Sequence, residues 1–253
     1  HFLQAAVAPS KTWDGLTWDG GEPTSFDNVY IKGLLNVSSL SGNQLQCADL
    51  IIENGGAIVF DEPNGFVQIN GSIIRIDAAG PIYNTSQGCY IDIASSLPVT
   101  ISTSSNNKFN IPDGVYLRIS SGTNLTTDGN LLVEAGGWID AGSISSVIGD
   151  VTLNQLGKSS STAWNLWSSP VDNNLFTNVF GSVPTAYEFP DGGTTTADWK
   201  LITQSASLMR SGKGYCINGS ANSSIRVIDG GGSSSTYYHP FNNYWESGRT
   251  QII

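Results

Sequence analysis

The sequence predicts an all-β chain whose centre is a β-solenoid, and three observations lead there. Residues 45–155 are a succession of short apolar runs, at 48–53, 57–60, 66–69, 72–77, 90–93, 99–102, 115–120, 131–134 and 137–140. The runs are rich in Ile, Val and Leu, and they are closed by turn signals such as NGG, NG, DG or AGG. No helical period separates them. Strands this short cannot bury their apolar faces alone, so runs this evenly spaced must lie on one another as stacked coils. A β-sandwich is the rival arrangement of the same strands. In the solenoid the inward positions are Leu50, Ile52, Ile58, Phe60, Val67, Ile69, Ile74, Ile76, Ile91, Ile93, Val115, Leu117, Ile119, Leu131 and Val133.

The segments follow in order. Residues 1–44 carry KTWDGLTWDGGEPTSFDNVYIKG, in which Trp13 and Trp18 are bracketed by turn residues. A solenoid needs its open first coil covered, and two indole rings suit an N-terminal, Trp-rich cap. Residues 45–157 form the solenoid. From 158 the texture changes, with WNLWSSPV and prolines at 170, 184 and 190, and this fits a small β-sandwich-like module over 158–229. Its strands are expected at 163–168, 185–189, 199–202, 214–218 and 224–228. Residues 230–253 open on GGGSSS, a flexible linker by composition, and continue into a strand-like tail too apolar to lie free in water. The tail is expected to fold back on 164–228, to continue into a further module, or to add a strand to a neighbour's sheet edge and build a filament. The abrupt end at 250–253 suggests a piece of a longer protein or a last strand that pairs with another molecule.

Composition narrows the partners. At 253 residues and 39% apolar content the chain can bury a core, yet only 13% of its residues are charged. Its 29 glycines, with many Ser, Thr and Asn, give a surface polar through hydroxyls and amides, a texture common in secreted proteins. A formal charge of −10 and only 11 Lys and Arg argue against nucleic acid and anionic membranes as partners. No apolar stretch approaches the roughly 20 residues needed to span a bilayer, so no membrane insertion is expected of the chain shown. The stretch Ala6-Val7-Ala8 resembles the tail of a signal peptide, a hint of export.

Three segments resemble a known family, the secreted modular surface proteins of Bacteroidetes that leave by the type IX secretion system. Residues 13–33 are similar to its entry motif: a tryptophan pair, a glycine turn, a proline and Asp-Asn-Val before the first strand. CADLIIENGGAIVF at 47–60 looks like its first coil, and the segment from WNLWSSPV to GKGYCI at 164–218 is similar to its post-solenoid module. The resemblance implies an extracellular or cell-surface location and an adhesive, spacer or display role. It does not imply a ligand. Such proteins normally end in a sorting domain, and none is recognisable after Ile228.

The expected function is a non-catalytic extracellular structural or adhesive cell-surface protein, in contact with other surface proteins, copies of itself or glycans. A polysaccharide lyase or hydrolase of the β-helix type is the alternative, and a glycan-binding module is a third reading. Its acids would come from Asp61, Glu62, Asp77, Asp92, Asp128, Glu134 and Asp140. Only Arg75 with Asp77 and Asp92, or Arg118 with Asp128 and Glu134, could converge. Since His1 and His239 lie outside the solenoid, no histidine-based triad is read and no catalytic residue is assigned. Most of these carboxylates sit at turns, where Asp is expected for backbone reasons. No cofactor is expected apart from calcium, for which Asp27 and Asn28, Asp172, and Asp191 in PDGG offer hard oxygen ligands without a fixed calcium-motif spacing. Cys47 and Cys89 could form a disulfide if they lie on neighbouring coils, or remain buried free thiols; Cys216 is left over. For sugar stacking, the aromatic group Tyr237, Tyr238, Phe241, Tyr244 and Trp245 is the sequence candidate, with core packing or an intermolecular joint as its other reading.

Overall fold

The computed structural model of the chain describes residues 8–104, 106–141, 145–156, 164–168, 174–176, 185–188, 195, 198–203, 208–209, 214–218, 222–227 and 236–238. Strand β1 (Ser10–Trp13) precedes five coils of three strands each. The first coil is β2 (Asn28–Ile31), β3 (Leu34–Asn36) and β4 (Gln44–Cys47), and the second is β5 (Leu50–Ile52), β6 (Ala57–Phe60) and β7 (Phe66–Ile69). The third is β8 (Ile73–Ile76), β9 (Ile82–Asn84) and β10 (Cys89–Ile93), and the fourth is β11 (Val99–Thr103), β12 (Phe109–Ile111) and β13 (Val115–Ile119). The fifth is β14 (Asn124–Thr126), β15 (Leu131–Val133) and β16 (Trp138–Ala141), after which β17 (Ser146–Ile148) and β18 (Val151–Leu156) begin a sixth. Short 3-10 turns at Val37–Ser39 and Ser41–Asn43 round one corner of the first coil.

Each strand lies parallel on its counterpart one coil away, so the body is a three-faced β-solenoid. Its first face is β1-β2-β5-β8-β11-β14-β17 and its third is β4-β7-β10-β13-β16. The second face comes in two runs, β3-β6-β9 and β12-β15-β18. In-register stacking follows from the alternation inside each strand. In Cys89–Ile93 the residues Cys89, Ile91 and Ile93 are buried and Tyr90 and Asp92 face outward, and a one-residue slip would exchange the two sets.

All fifteen inward positions expected from the sequence are buried, in one continuous core that runs from Val29 to Val151. Burying side chains of this size stabilises by about 1.5–3 kcal/mol each relative to exposure. Hydroxyls close the corners: Thr123 donates to the Ser95 carbonyl, Ser145 to that of Ser120 at 2.6 Å and Thr127 to that of Asp150 at 2.7 Å. Thr123, Thr127 and Ser145 are buried, and their three hydroxyls would otherwise be left unpaired, at a cost of about 1–3 kcal/mol each.

The coils begin at Asn28, ahead of the expected residue 45. Asn28–Ile31 already alternates outward and inward, and Val29, Ile31, Leu35 and Val37 join the same core. Upstream, β1 lies parallel on β2 and extends the first face by one strand. Trp13 and Trp18 stand 5.4 Å apart and pack, partly buried, against the core, and the Trp13 indole donates to the Leu34 carbonyl at 2.9 Å.

After the solenoid the pairing turns antiparallel. The strands β19 (Trp164–Ser168), β20 (Asn174–Leu175), β21 (Ala186–Glu188), β22 (Lys200–Ile202), β23 (Leu208–Met209) and β24 (Gly214–Asn218) form a four-stranded sheet, β19-β24-β21-β22, and a two-stranded one, β20-β23. Phe176, Ala186, Tyr215 and Ile217 are buried apart from the solenoid core, with Phe176 and Tyr215 edge to face at 5.2 Å.

The strand expected at 224–228 appears as β25 (Asn222–Val227), yet it pairs antiparallel with β18 of the solenoid rather than within the module. The tail strand β26 (Thr236–Tyr238) pairs antiparallel with β17. Both therefore cover edges of the last coil of their own chain. The reason is the one anticipated for a neighbour, an edge with open backbone groups, but the receiver is the chain itself.

Candidate functional site

The solenoid's outward side chains are placed by the same register that fills its core. On the third face the sequence repeats one triplet, an aromatic, an aliphatic and a polar residue: Phe66-Val67-Gln68, Tyr90-Ile91-Asp92, Tyr116-Leu117-Arg118 and Trp138-Ile139-Asp140. The aliphatic residue points inward and its two neighbours point out. Stacking turns the triplets into two columns. Gln44, Phe66, Tyr90, Tyr116 and Trp138 form one, and Gln46, Gln68, Asp92, Arg118 and Asp140 form the other.

The columns are structured. Phe66 and Tyr90 stack at 5.1 Å with ring planes 1° apart, and Tyr116 and Trp138 stack at 6.2 Å and 24°. Arg118 leaves its own column and lies over the Tyr90 ring, 4.1 Å from the centroid, a cation–π contact that bridges the two rows. Gln68 donates to Asp92 at 3.4 Å and Gln46 to Gln44 at 3.3 Å. Tyr116 and Arg118 are exposed and Phe66, Tyr90 and Trp138 half-buried, so the ladder is a surface. The first face differs: Lys32, Glu53, Arg75 and Asp77 form the ion pairs Lys32–Glu53 at 3.6 Å, Arg75–Glu53 at 3.9 Å and Arg75–Asp77 at 3.1 Å. Exposed pairs of this kind contribute little to stability.

The catalytic clusters offered by the sequence do not assemble as grouped. Arg75 meets Asp77, but Asp92 lies on the third face, opposite Arg118 in register. Asp128 stands in a turn at φ +48°, and the Glu134 carboxylate accepts from the buried Asn110 amide at 2.9 Å. In register Arg118 falls between Asp92 and Asp140, while its guanidinium lies over the Tyr90 ring. Asp61 is occupied by the Ser38 amide and hydroxyl.

Of the metal candidates, Asn28 accepts from the Asp49 amide at 3.3 Å. Asp27 is buried and accepts the Thr24 amide and hydroxyl, each at 2.8 Å, while its own amide donates to the Thr24 carbonyl at 3.1 Å. This Thr-x-x-Asp turn recurs at Thr195 and Asp198. Asp172 and Asp191 lie outside the described residues, and among the described residues no group of three or more His, Cys, Asp or Glu could hold a metal ion.

The Thr24 backbone and side-chain hydrogen bonds hold the Asp27 carboxyl below the usual carboxylate value. A depressed folded-state pKa stabilises above the unfolded value of about 3.9, and that contribution disappears as pH falls through the folded value. Asp27→Asn is therefore expected to cost about 1 kcal/mol at neutral pH, and to cost progressively less below about pH 4. Urea midpoints of both proteins across that range check it, and a pH-independent difference would refute it.

The disulfide is not formed. Cys47 and Cys89 are free and buried, because β7 lies between their strands and they sit at opposite strand ends, Cys47 in register with Ile69 and Ile93. A bridge needs Cα atoms within about 7 Å, closer than two strand spacings of about 4.8 Å allow. Burial pushes both thiols upward, which keeps them unreactive. Of the aromatic candidates, Tyr237 and Tyr238 are paired through their backbones with Val147 and Ser146. Phe241, Tyr244 and Trp245 lie outside the described residues.

No family model matches the chain, and neither the curated proteins nor the solved structures include a match.

Proposed function

We propose that this chain is a non-catalytic structural or adhesive protein of the cell exterior, of the kind exported by the type IX system that its motifs resemble. One observation carries the reading: a rod-like solenoid presents an exposed, in-register ladder of aromatic and polar side chains along a whole face. A display surface of this form suits contact along its length with other surface proteins, with copies of the chain or with glycans. Low charge and the hydroxyl- and amide-rich composition agree with it. A hydrolytic reading draws on a separate feature, Asp92 and Asp140 two strands apart on either side of Arg118. Two strand steps are about 9.6 Å between backbones, near the upper end of the carboxyl separation of inverting glycosidases, about 6.5–9.5 Å.

Incubating the full chain with neutral and acidic polysaccharides separates the two. Retention without new reducing or unsaturated ends is expected; bond cleavage would overturn the non-catalytic reading. Cell fractionation tests the location, and recovery inside the cell would refute it.

The tail belongs to this reading as a seal. Truncation after Asp229 removes β26 and uncovers the backbone edge of β17, so the shortened protein is expected to self-associate more than the full chain. Light scattering at matched concentration measures this. Equal or weaker association would show that the tail does not protect that edge.

A further inference from the structure

We propose that the third face binds an extended, uncharged polysaccharide, lying along the solenoid axis over the two outward columns. The proposal rests on the surface-protein reading above and names the ligand class of its ladder. The columns are two residues apart along each strand, about 6.6 Å, and five strands make the strip about 19 Å long. One wall is Phe66, Tyr90, Tyr116 and Trp138; the other is Gln68, Asp92 and Asp140, with Arg118 rising from it and reaching across to Tyr90.

Each wall matches one part of a sugar chain. Stacking sets the ring planes across the axis, so the aromatic wall presents ring edges, the electropositive rim of the π-quadrupole. An apolar strip with a positive rim suits the hydroxyl and ring oxygens of a sugar chain. The polar wall offers amide, carboxylate and guanidinium heads one strand spacing apart, able to accept from and donate to successive hydroxyls. Arg118, exposed and held over Tyr90, crosses the strip midway and offers N–H donors to a chain lying on top.

Size and charge select this occupant over others. Five strands of four or five residues cover roughly 300 Å², well short of the ~800 Å² per partner that a stable protein interface buries. A thin linear ligand fits the face better than a folded partner or a second copy. The polar wall carries two carboxylates against one guanidinium, on a chain of charge −10, and that field repels polyanions.

Electrophoresis of the full chain through gels containing hydroxyethylcellulose, galactomannan or polygalacturonate tests the site. Retardation by an uncharged polymer is expected, and it should persist in about 1 M salt, where the screening length is about 3 Å. Tyr116→Ala and Trp138→Ala should each weaken it roughly tenfold, while Arg75→Ala on the first face leaves it unchanged. Arg118→Ala, at an exposed position, repeats the test should the aromatic variants unfold, as thermal melts will reveal. Retardation by polygalacturonate alone, by none of the polymers, or equally reduced in Arg75→Ala would overturn the proposal and leave the structural reading standing. New reducing ends would overturn the non-catalytic reading, whereas binding lost with Tyr116 and Trp138 would still support the site.

Discussion

Asn110→Leu is expected to lower the unfolding free energy by about 2–4 kcal/mol, read as a fall in the urea midpoint at unchanged slope. The second face is broken between β9 and β12, which share no backbone ladder. Asn110 fills the break. Its Oδ1 accepts the Ile82 amide at 3.0 Å, and its Nδ2 donates to the Ile82 carbonyl at 2.8 Å and to Glu134 at 2.9 Å. One side-chain amide thus replaces both hydrogen bonds of a backbone rung. Leucine keeps the branched four-atom skeleton with bulkier methyl groups, so the substitution opens no cavity, and any crowding adds to the polar loss. Ile82 and Asn110 are both buried, and the Ile82 N–H and C=O would be left without partners, each costing about 1–3 kcal/mol. Glu134→Gln, which keeps an acceptor for Asn110, should cost less than about 1 kcal/mol. A leucine variant within about 0.5 kcal/mol of the parent would mean that water or a backbone shift repairs the rung.

The inward residues were legible because every long strand alternates, and stacking buries the same parity in each coil. Three-residue strands with a single inward side chain were not. Asn124–Thr126 buries one apolar side chain, Leu125, and Leu34–Asn36 buries only Leu35, so neither has a period to read. Asn28–Ile31 does alternate, but its setting among Trp, Gly and Pro made it look like an entry segment. The third-face ladder was written in the chain as four aromatic–aliphatic–polar triplets, yet its meaning depends on which triplets stack. That register is hidden, because the coils differ in length: the step from Val29 to Leu50 is 21 residues and that from Ile74 to Ile101 is 27. The tail shows the complementary limit. Its need for a sheet edge followed from composition, whereas which edge receives it depends on where the last coil stops.

Gly56→Ala is expected to destabilise by about 2–3 kcal/mol, and more than Gly55→Ala beside it. The chain uses one corner twice, as Glu53-Asn54-Gly55-Gly56 and Glu134-Ala135-Gly136-Gly137. In each, the glutamate amide donates at 2.9 Å to a carbonyl one coil below, that of Ile31 or Ile111, and the second glycine donates back to the glutamate carbonyl at 2.8 Å. The two glycines do different work. Gly55 lies at φ +88°, and a Cβ there meets nothing nearer than the Lys32 carbonyl at 3.6 Å, so alanine incurs only a backbone cost of about 1–2 kcal/mol. A Cβ on Gly56 would lie 2.1 Å from the Ile31 oxygen, and one on Gly137 2.4 Å from that of Ile111. Those oxygens belong to strands held in the ladder, so neither can swing aside as a flexible side chain would. Alanine must pry one coil from the next, weakening the Glu53 to Ile31 hydrogen bond and the packing beneath it. Urea midpoints of Gly55→Ala, Gly56→Ala and Gly137→Ala compare the two costs. The second-glycine variants should be the least stable, and a larger loss at Gly55 would show that the turn's dihedral, not the approach of neighbouring coils, fixes glycine at this corner.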